Sequence, residues 1–449
     1  MLNHKKIISH LIKITLQAKP ITPDSIKEFK QVWMADGVFV ELDDSDFKEK
    51  QMALDEIFKD TRIKEYFPRE YVEEKIQSII SRSFNIPLEK REKFFTDEIY
   101  KFYEDLKKNI KEWVILVPID NLKIKENFSI GDVIFFPSDN HNFEKIANDL
   151  VTHILKNNPH YTDDEKKVIL NQQLDIIRKS ANGFTITLAE VKIKGIKEIA
   201  QKEAMQKVRI ALHIARLYNL PSEHESTMQF GICGEVIRYN IRYTIRYDSD
   251  LTTVAPVSET TGFMFPFEFT DKRLEFMKNN GYEDLKNIFL SKKPTDFEKR
   301  LLTTIYWYGE ALKTETFYES KTALEGNSDY KHLEYFNLNQ KFLKLMIALE
   351  SILLFDENEP ITNNVAERVA FILESKFDGR KSIKSIIQRL YKLRSGIVHH
   401  GKSNLSKDDV NLLSWIVQKT IFNLIKLIKI VPLEEKEDLQ KYLERLKLS

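Results

Sequence analysis

The chain has 449 residues, of which 42% are hydrophobic and 31% charged, a composition that predicts folded globular domains and excludes a disordered protein. Its 69 Lys and Arg residues nearly balance its 68 Asp and Glu residues, so any nucleic-acid contact must come from a local basic patch. The single cysteine, Cys233, excludes an intrachain disulfide and a cysteine zinc site, and it fits a reducing cytoplasm.

The N-terminal sequence predicts neither a signal peptide nor a membrane anchor. His10, Lys13 and Gln17 interrupt its apolar positions, and no small-residue cleavage site follows. No stretch of about 18 uncharged apolar residues occurs anywhere in the chain. We therefore expect a cytoplasmic protein that does not contact a membrane.

Residues 1–110 are predicted to form a helix-rich N-terminal segment. Apolar residues recur at three- and four-residue spacing over residues 27–36 and 89–110, which is typical of helices that bury one face.

Residues 111–270 are predicted to form a mixed α/β sensing or regulatory domain. A helix without internal glycine or proline is expected at 196–218, and apolar or aromatic residues alternate over 236–247 as in a half-buried strand. Further strands are indicated by β-branched or alternating apolar runs, at 113–118, 122–125, 130–137 and 183–193.

Residues 271–449 are predicted to be almost wholly helical. The expected helices share broad apolar faces and cover 297–315, 333–355, 361–377, 382–399 and 406–430. Thr362 is the expected N-cap of the third, and Gly401 fits the left-handed position just after the fourth. Short connections predict an antiparallel bundle. The expected fold class is thus α+β, a mixed α/β region followed by an all-α bundle.

The most informative segment lies at the end of the fourth predicted helix, where Arg394 and Ser395 precede His399, His400 and Gly401. RNA can be cleaved without metal when its ribose 2′-OH attacks the adjacent phosphate. Histidine supplies an acid or base that titrates near neutral pH, and arginine presents a planar fork to phosphate oxygens. An arginine and a histidine at this spacing also occur by chance, so the pattern needs supporting context.

That context is a set of four sequence blocks, at residues 305–312, 347–353, 366–373 and 390–401. Together they resemble the HEPN superfamily, specifically the Apea-like HEPN domains, over about a third of the chain. The resemblance implies a helical bundle that pairs with a second copy and acts as a metal-independent endoribonuclease on RNA. It further implies an antiphage protein of the abortive-infection type, in which an N-terminal region senses a phage-derived trigger. No cofactor and no metal are expected.

The resemblance also implies a catalytic role for each polar residue of the segment 394–400. Arg394 is expected to stabilise the phosphate and His399 to act as acid or base, with Ser395 and His400 assisting. The family pattern has a single histidine before glycine, so the pair leaves open which one acts, although spacing favours His399. On a regular helix Arg394 and His399 lie about 140° apart, which favours a cleft between two protomers of a homodimer.

Four residues are candidates for substrate binding or support. Glu350 and Arg368 match residue types of the family and are expected to position Arg394, to help bind the phosphate, or to form a buried structural ion pair between neighbouring helices. Tyr391 is expected either to stack on a base or, more often for such an aromatic, to pack in the core. Lys402 is a candidate for contact with the RNA backbone, although lysines in this chain are abundant and are usually only solvated.

Three simpler or different interpretations remain open at this point. Arg394 can form a salt bridge with a bundle carboxylate while the histidines merely end the helix. The domain can also be non-catalytic, serving dimerisation and ligand binding. Glu190 and Lys192, in a predicted strand, resemble the Glu-x-Lys of Mg²⁺-dependent nucleases, but no convincing aspartate precedes them.

Overall fold

The computed structural model shows an α+β protein, predominantly helical, whose strands pair mostly in antiparallel fashion. It packs as two compact units, the first formed by Met1–Ile115 with Lys192–Ala204, the second by Leu116–Val191 with Met205–Ser449. The division into three segments stays a prediction. The structure describes every residue except 1–3, 18, 22–31, 36–37, 42–43, 138–143, 146, 149–150, 153–154, 156–159, 181–186, 219–229, 237–239, 248–253, 262–266, 315–329, 357, 402–403 and 449.

The first unit is built on five helices. They are α1 (His4–Gln17), α2 (Asp44–Ile57), α3 (Thr61–Tyr66), α4 (Arg69–Ser83) and α5 (Arg91–Asn109). The predicted helix at 89–110 is confirmed by α5. Their apolar faces form one core, since burying such faces is the main favourable contribution to folding. Its fully buried members include Ile7, Leu11, Leu54, Ile57, Ile80, Phe95 and Ile99.

The first unit also contains a three-stranded antiparallel sheet, in the order β1 (Lys19–Ile21), β3 (Val38–Glu41) and β2 (Val32–Ala35). The helix predicted at 27–36 is therefore wrong over 32–35. Residues 32–35 include valine and tryptophan, which pack well in a pleated sheet, and β3 supplies the backbone partners. Residues 27–31 lie outside the described part of the chain.

A five-stranded sheet follows, in the order β6 (Phe128–Ile130), β7 (Val133–Pro137), β8 (Thr187–Gly195), β4 (Lys111–Asp120) and β9 (Gly231–Ile232). The strand predicted at 130–137 is confirmed over 133–137 as β7, but its first three residues belong to the end of β6 and to a turn. Gly131 turns the chain there with a left-handed φ of 62°. Of the strand predicted at 183–193, residues 183–186 lie outside the described part.

Shorter strands complete the β structure. β5 (Leu122–Ile124) pairs in parallel with β12 (Phe267–Phe269), and β10 (Asn240–Tyr247) pairs with β11 (Val254–Thr261) as an antiparallel hairpin. The alternation predicted over 236–247 thus falls on a strand, apart from residues 237–239, which lie outside the described part.

Helices dominate the rest of the second unit. They are α6 (Asp163–Ser180), α7 (Lys197–Leu217), α8 (Asp271–Asn279), α9 (Tyr282–Leu290), α10 (Asp296–Lys313), α11 (Tyr330–Leu353), α12 (Ile361–Leu373), α13 (Phe377–His400), α14 (Lys407–Ile428) and α15 (Lys436–Leu448). Residues 197–204 of α7 belong to the first unit. The predicted helix at 196–218 and the five predicted C-terminal helices are confirmed as elements.

Helices α10–α14 pack on one another around an apolar core. The expected N-cap Thr362 is wrong, because α12 begins one residue earlier and Pro360 occupies the cap position. α14 begins as its sequence indicates: Ser406 accepts a hydrogen bond from the amide of Asp409, whose carboxylate reaches back to the cap. Core residues shared by these helices include Leu301, Ile305, Leu345, Leu349, Val365, Leu390, Leu413 and Ile421.

Gly309 on α10 is required by a close approach to α7. A Cβ added there would lie 2.5 Å from Cγ of His213. His213 is 2% exposed and its Nδ1 lies 3.0 Å from Nη1 of the buried Arg216, so the ring has no room to move aside. The glycine in this sequence block is thus explained by packing.

We expect Gly309→Ala to lower the free energy of unfolding. The overpacking cost of about 1–3 kcal/mol should exceed the gain of about 1 kcal/mol from replacing glycine within a helix. Urea titration would measure the difference. Gly195→Ala, whose added carbon meets nothing within 4 Å, is the matched control. Equal stability of Gly309→Ala and the parent would contradict the packing account.

Within the residues that the structure describes, no helix combines the length and the apolar character needed to cross a bilayer.

Candidate functional site

Helix α13 carries the predicted motif on its last two turns. The helix runs unbroken from Phe377 to His400 and ends at Gly401, whose φ is 64°. The amide of Gly401 donates to the carbonyl of Ile397 at 3.0 Å, which closes the final turn. The predicted helix end at Gly401 is confirmed, and it fixes the point at which the two histidines leave the bundle.

Arg394 is anchored to helix α11 of the bundle. Its Nε lies 3.2 Å from Oε1 of Glu350, and its Nη2 donates to Oε2 at 3.4 Å. The hydroxyl of Tyr391, one turn earlier on α13, donates to the same Oε1 at 3.1 Å. Three of the residues named from the sequence therefore form one connected group.

The electrostatics of this group follow from burial. Burial raises the pKa of Glu350, against the opposing effects of the Arg394 charge and the Tyr391 hydrogen bond. Burial, reinforced by Glu350, also raises the pKa of Tyr391, so its hydroxyl stays a donor. The side chain of Arg394 remains 30% exposed while that of Glu350 is 14% exposed. The guanidinium is thus held from inside and still reaches solvent.

Tyr391 itself is 5% exposed, with its ring in the core. Of the two expected roles of Tyr391, this position agrees with packing in the core. It does not agree with stacking on a base, since a stacking ring needs an open face.

The histidines and Ser395 lie on the surface. His399 and His400 are both exposed on the last turn, with ring centroids 6.5 Å apart. Ser395 is exposed as well. Ser395 and His399 do not hydrogen-bond to each other, although they are four residues apart on the same helix.

Arg394 and His399 point to different sides of α13. Because the helix is continuous, five residues place them about 140° apart around its axis. Arg394 turns towards Glu350, and His399 turns to solvent. One chain therefore does not place the two side chains on one phosphate.

Arg368 on α12 belongs to a different cluster. Its two terminal nitrogens each donate to one carboxylate oxygen of Glu359 at 2.7 Å, and Nη1 also donates to the carbonyl of Leu353 at 2.5 Å. The guanidinium lies 4.0 Å above the ring of Phe355. Arg368 thus closes the connection between α11 and α12 and does not join the Arg394 group. Lys402 lies outside the described residues.

Comparison with known proteins adds no relative. No protein-family model, curated protein or solved structure matches the chain. The resemblance to HEPN domains therefore rests on the four sequence blocks, and the site has to be judged by its own geometry.

The alternative Mg²⁺ site has a place in the fold but no ligand set in the described chain. Glu190 and Lys192 lie on β8, with Glu190 opposite Ile134 of β7. Across the described residues, no three His, Cys, Asp or Glu side chains converge in a way that could hold a metal ion. The structure therefore adds no support to a metal site at this strand.

Two acidic residues near the site were missed from the sequence. Glu359 holds Arg368, and Asp409 pairs with Arg389 of α13, its Oδ1 lying 2.6 Å from Nη1. A signal for Asp409 existed, because Ser406 and Asp409 have the spacing of a capping box. Glu359 had no comparable signal, since it lies in a short connection between helices.

Proposed function

We propose that this chain is an antiphage protein of the abortive-infection type, whose C-terminal helices form a HEPN-type bundle that cleaves RNA without metal. The observation that carries the proposal is the arrangement at the end of α13. There Arg394 is fixed by Glu350 yet 30% exposed, and His399 and His400 are exposed one turn further on. The protein would act in the cytoplasm as a homodimer.

The proposed reaction is an internal transesterification. The ribose 2′-OH attacks the adjacent phosphorus, a histidine accepts its proton, and the bond from phosphorus to the 5′-oxygen breaks. A proton returns to that oxygen, leaving a 2′,3′-cyclic phosphate and a 5′-hydroxyl. The Arg394 fork would bind the phosphate oxygens whose charge grows in the transition state, and Ser395 would orient the histidine or the phosphate.

A two-fold arrangement of two chains would supply what one chain lacks. Arg394 and His399 diverge by about 140° on α13. Across a two-fold axis, each cleft would draw on both copies of the helix end. The N-terminal region would sense a phage-derived trigger and raise this activity above the basal rate of the untriggered chain.

The test is RNA cleavage by the full-length chain in EDTA. We expect cleavage that yields 2′,3′-cyclic phosphate ends, and its loss in Arg394→Ala, which separates this site from a contaminating ribonuclease. Cleavage that needs added Mg²⁺, or an Arg394→Ala chain as active as the parent, would refute the proposal.

We expect Glu350→Gln to lower the cleavage rate about 10- to 100-fold, because a loosened guanidinium no longer meets the phosphate in one geometry. The free energy of unfolding should change by only about 1 kcal/mol, since burial already disfavours the Glu350 charge. Single-turnover cleavage and urea titration measure the two quantities.

Glu367→Gln is the matched control for this substitution. Glu367 also pairs with a cation of α13, Lys384, at 3.3 Å, but makes no contact with Arg394 within the described chain. A rate loss of the same size in Glu367→Gln would show a general effect on the bundle rather than positioning of Arg394.

The second candidate function is a non-catalytic dimerisation and ligand-binding protein. It is favoured by the pairing of Arg394 with Glu350, which is also what an ordinary bundle salt bridge gives. An undiminished biological effect in a His399→Ala/His400→Ala chain that still dimerises would select this candidate.

A further inference from the structure

The outer face of α13 carries a polar stripe along most of the helix. At 100° per residue, its six members lie within about 40° of a line that runs for five turns from Lys381 to His399. The line is about 27 Å long. Five of the six side chains are exposed, and that of Gln388 is half-buried. The members, here called the α13 stripe, are Lys381, Ser385, Gln388, Lys392, Ser395 and His399.

The stripe is positively charged. It contains no carboxylate, and the one acidic residue of α13, Asp378, lies in the first turn, at the end far from His399. Neither Lys381 nor Lys392 forms an ion pair with any described residue. Both lysine charges are therefore directed to solvent.

Three carboxylates on the neighbouring helices do not cancel this charge, because each of them already pairs with another cation. Glu350 binds Arg394, Asp409 binds Arg389, and Glu367 binds both Lys384 and Lys447. The pKa of Asp409 is lowered: burial acts to raise it, but the hydrogen bonds from Arg389 and Ser406 outweigh burial. These carboxylates are held as partners of other side chains, and the two stripe lysines stay unbalanced.

The side chains of the α13 stripe indicate which class of ligand it can bind. It has no apolar side chain with which to bind a helix or an apolar ligand. Direct packing of two such stripes across a two-fold axis would oppose like charges. Lysines and hydroxyls are groups that bind phosphate and ribose oxygens without reading bases. The amide of Gln388 already donates to Oδ1 of Asn363 at 3.0 Å. A polyanion that follows a straight path of about 27 Å meets all of these conditions.

We propose that the α13 stripe is the binding track for a single strand of RNA, with its phosphates on Lys381 and Lys392 and the cleaved phosphate at His399. Cleavage of the bound RNA at His399 rests on the proposed ribonuclease function, whereas binding of the RNA to the stripe does not. A single strand fits because in-line attack by the 2′-OH requires the backbone to leave the regular A-form geometry. The track makes the enzyme sensitive to substrate length.

The experiment measures binding separately from cleavage. The parent is the full chain with His399→Ala/His400→Ala, and the probe is a fluorescein-labelled, unstructured 20-nucleotide RNA followed by anisotropy between 50 and 200 mM salt. Adding Lys381→Gln/Lys392→Gln should weaken binding about tenfold and reduce the slope of log K against log salt by about 1.4, that is, 0.7 for each lost charge.

Lys272→Gln/Lys278→Gln is the matched control, since both lysines are exposed on a single helix, α8, of the same unit. We expect it to leave the slope at the parent's value. A Lys381→Gln/Lys392→Gln chain with the parent's slope would overturn the track, and so would a parent that does not bind the RNA.

Cleavage assays then distinguish a failure of the proposed track from a failure of the proposed ribonuclease function. In a chain with both histidines intact, Lys381→Gln/Lys392→Gln should slow cleavage of the 20-nucleotide RNA about tenfold and leave cleavage of a dinucleotide unchanged, because a dinucleotide is too short to reach either lysine. RNA binding with the expected slopes but without any cleavage would support the track and refute the ribonuclease. Cleavage with an unchanged slope would refute the track alone.

Discussion

Replacing both His399 and His400 by alanine is expected to lower the rate of RNA cleavage about 10²- to 10⁴-fold, which is the usual contribution of a general acid or base. Both rings are exposed on the same turn and their centroids are 6.5 Å apart, so either can approach a substrate phosphate. Each single substitution should therefore cost less than the double one, with His399→Ala the larger of the two. Single-turnover cleavage in EDTA measures all three rates.

The control for this series is His160→Ala, because His160 is exposed and belongs to no part of the site. Neither site histidine contributes to the core, so the free energy of unfolding should change by less than about 0.5 kcal/mol in every variant. If the double variant kept the parent's rate, the histidines would have no chemical role, and a different residue would have to act as the acid or base.

The sequence predicted the helical bundle well because local information determines it. Apolar residues at three- and four-residue spacing defined α10, α11 and α14 to within three residues and α13 to within five, and Gly401 marked the end of α13. Such signals lie within one element, so they need no knowledge of its neighbours.

One error in the β structure fell where pairing with another strand decides the conformation. Residues 32–35 form a strand because β3 pairs with them, and that partner leaves no mark on their own spacing. The turn at Gly131 was hidden inside an apolar run, where a single glycine and Asp132 were the only signals. The first is a case in which tertiary context overrides local preference, and the second is a local turn signal that was overlooked.

The site could be predicted only in part, because contacts between separate helices leave no mark on the local sequence. Matching residue types placed Glu350 near Arg394, and the two side chains do meet. The partner of Arg368 could not be inferred, because Glu359 lies in a connection whose path depends on how α11 and α12 pack. The direction of Arg394, away from His399, followed from helix geometry alone.

Arg368→Ala is expected to lower the free energy of unfolding of the bundle by about 3–5 kcal/mol, the usual cost of breaking a buried ion pair by removing one partner. The side chains of Arg368 and Glu359 are 12% and 10% exposed, and the fork also donates to the carbonyl of Leu353. The substitution leaves the carboxylate and the carbonyl without that donor, and removes the cation above Phe355. Urea titration followed by hydrogen exchange in α11–α13 measures the loss.

Arg368→Lys is the matched variant, since it keeps the charge but loses the two-pronged geometry. It should recover only part of the lost stability, because a lysine cannot bind both oxygens of Glu359 and the carbonyl of Leu353 in one plane. A loss of less than about 1 kcal/mol in Arg368→Ala would show that the pair is no more than a surface salt bridge.

The stability of the chain at low pH provides an independent check on the ion pair of Arg368 and Glu359. Burial acts to raise the pKa of Glu359, but hydrogen bonds from Arg368, Phe355 and Asn364 outweigh it and lower the pKa from 4.5 to about 2. Because the folded chain binds this proton less tightly than the unfolded chain, the contribution is complete above pH 4.5 and is lost as the pH falls towards about 2. Arg368→Ala removes part of this contribution, so the stability gap between parent and variant should narrow over that range. A gap that stayed constant down to pH 2 would assign the loss to packing on Phe355 rather than to the ion pair.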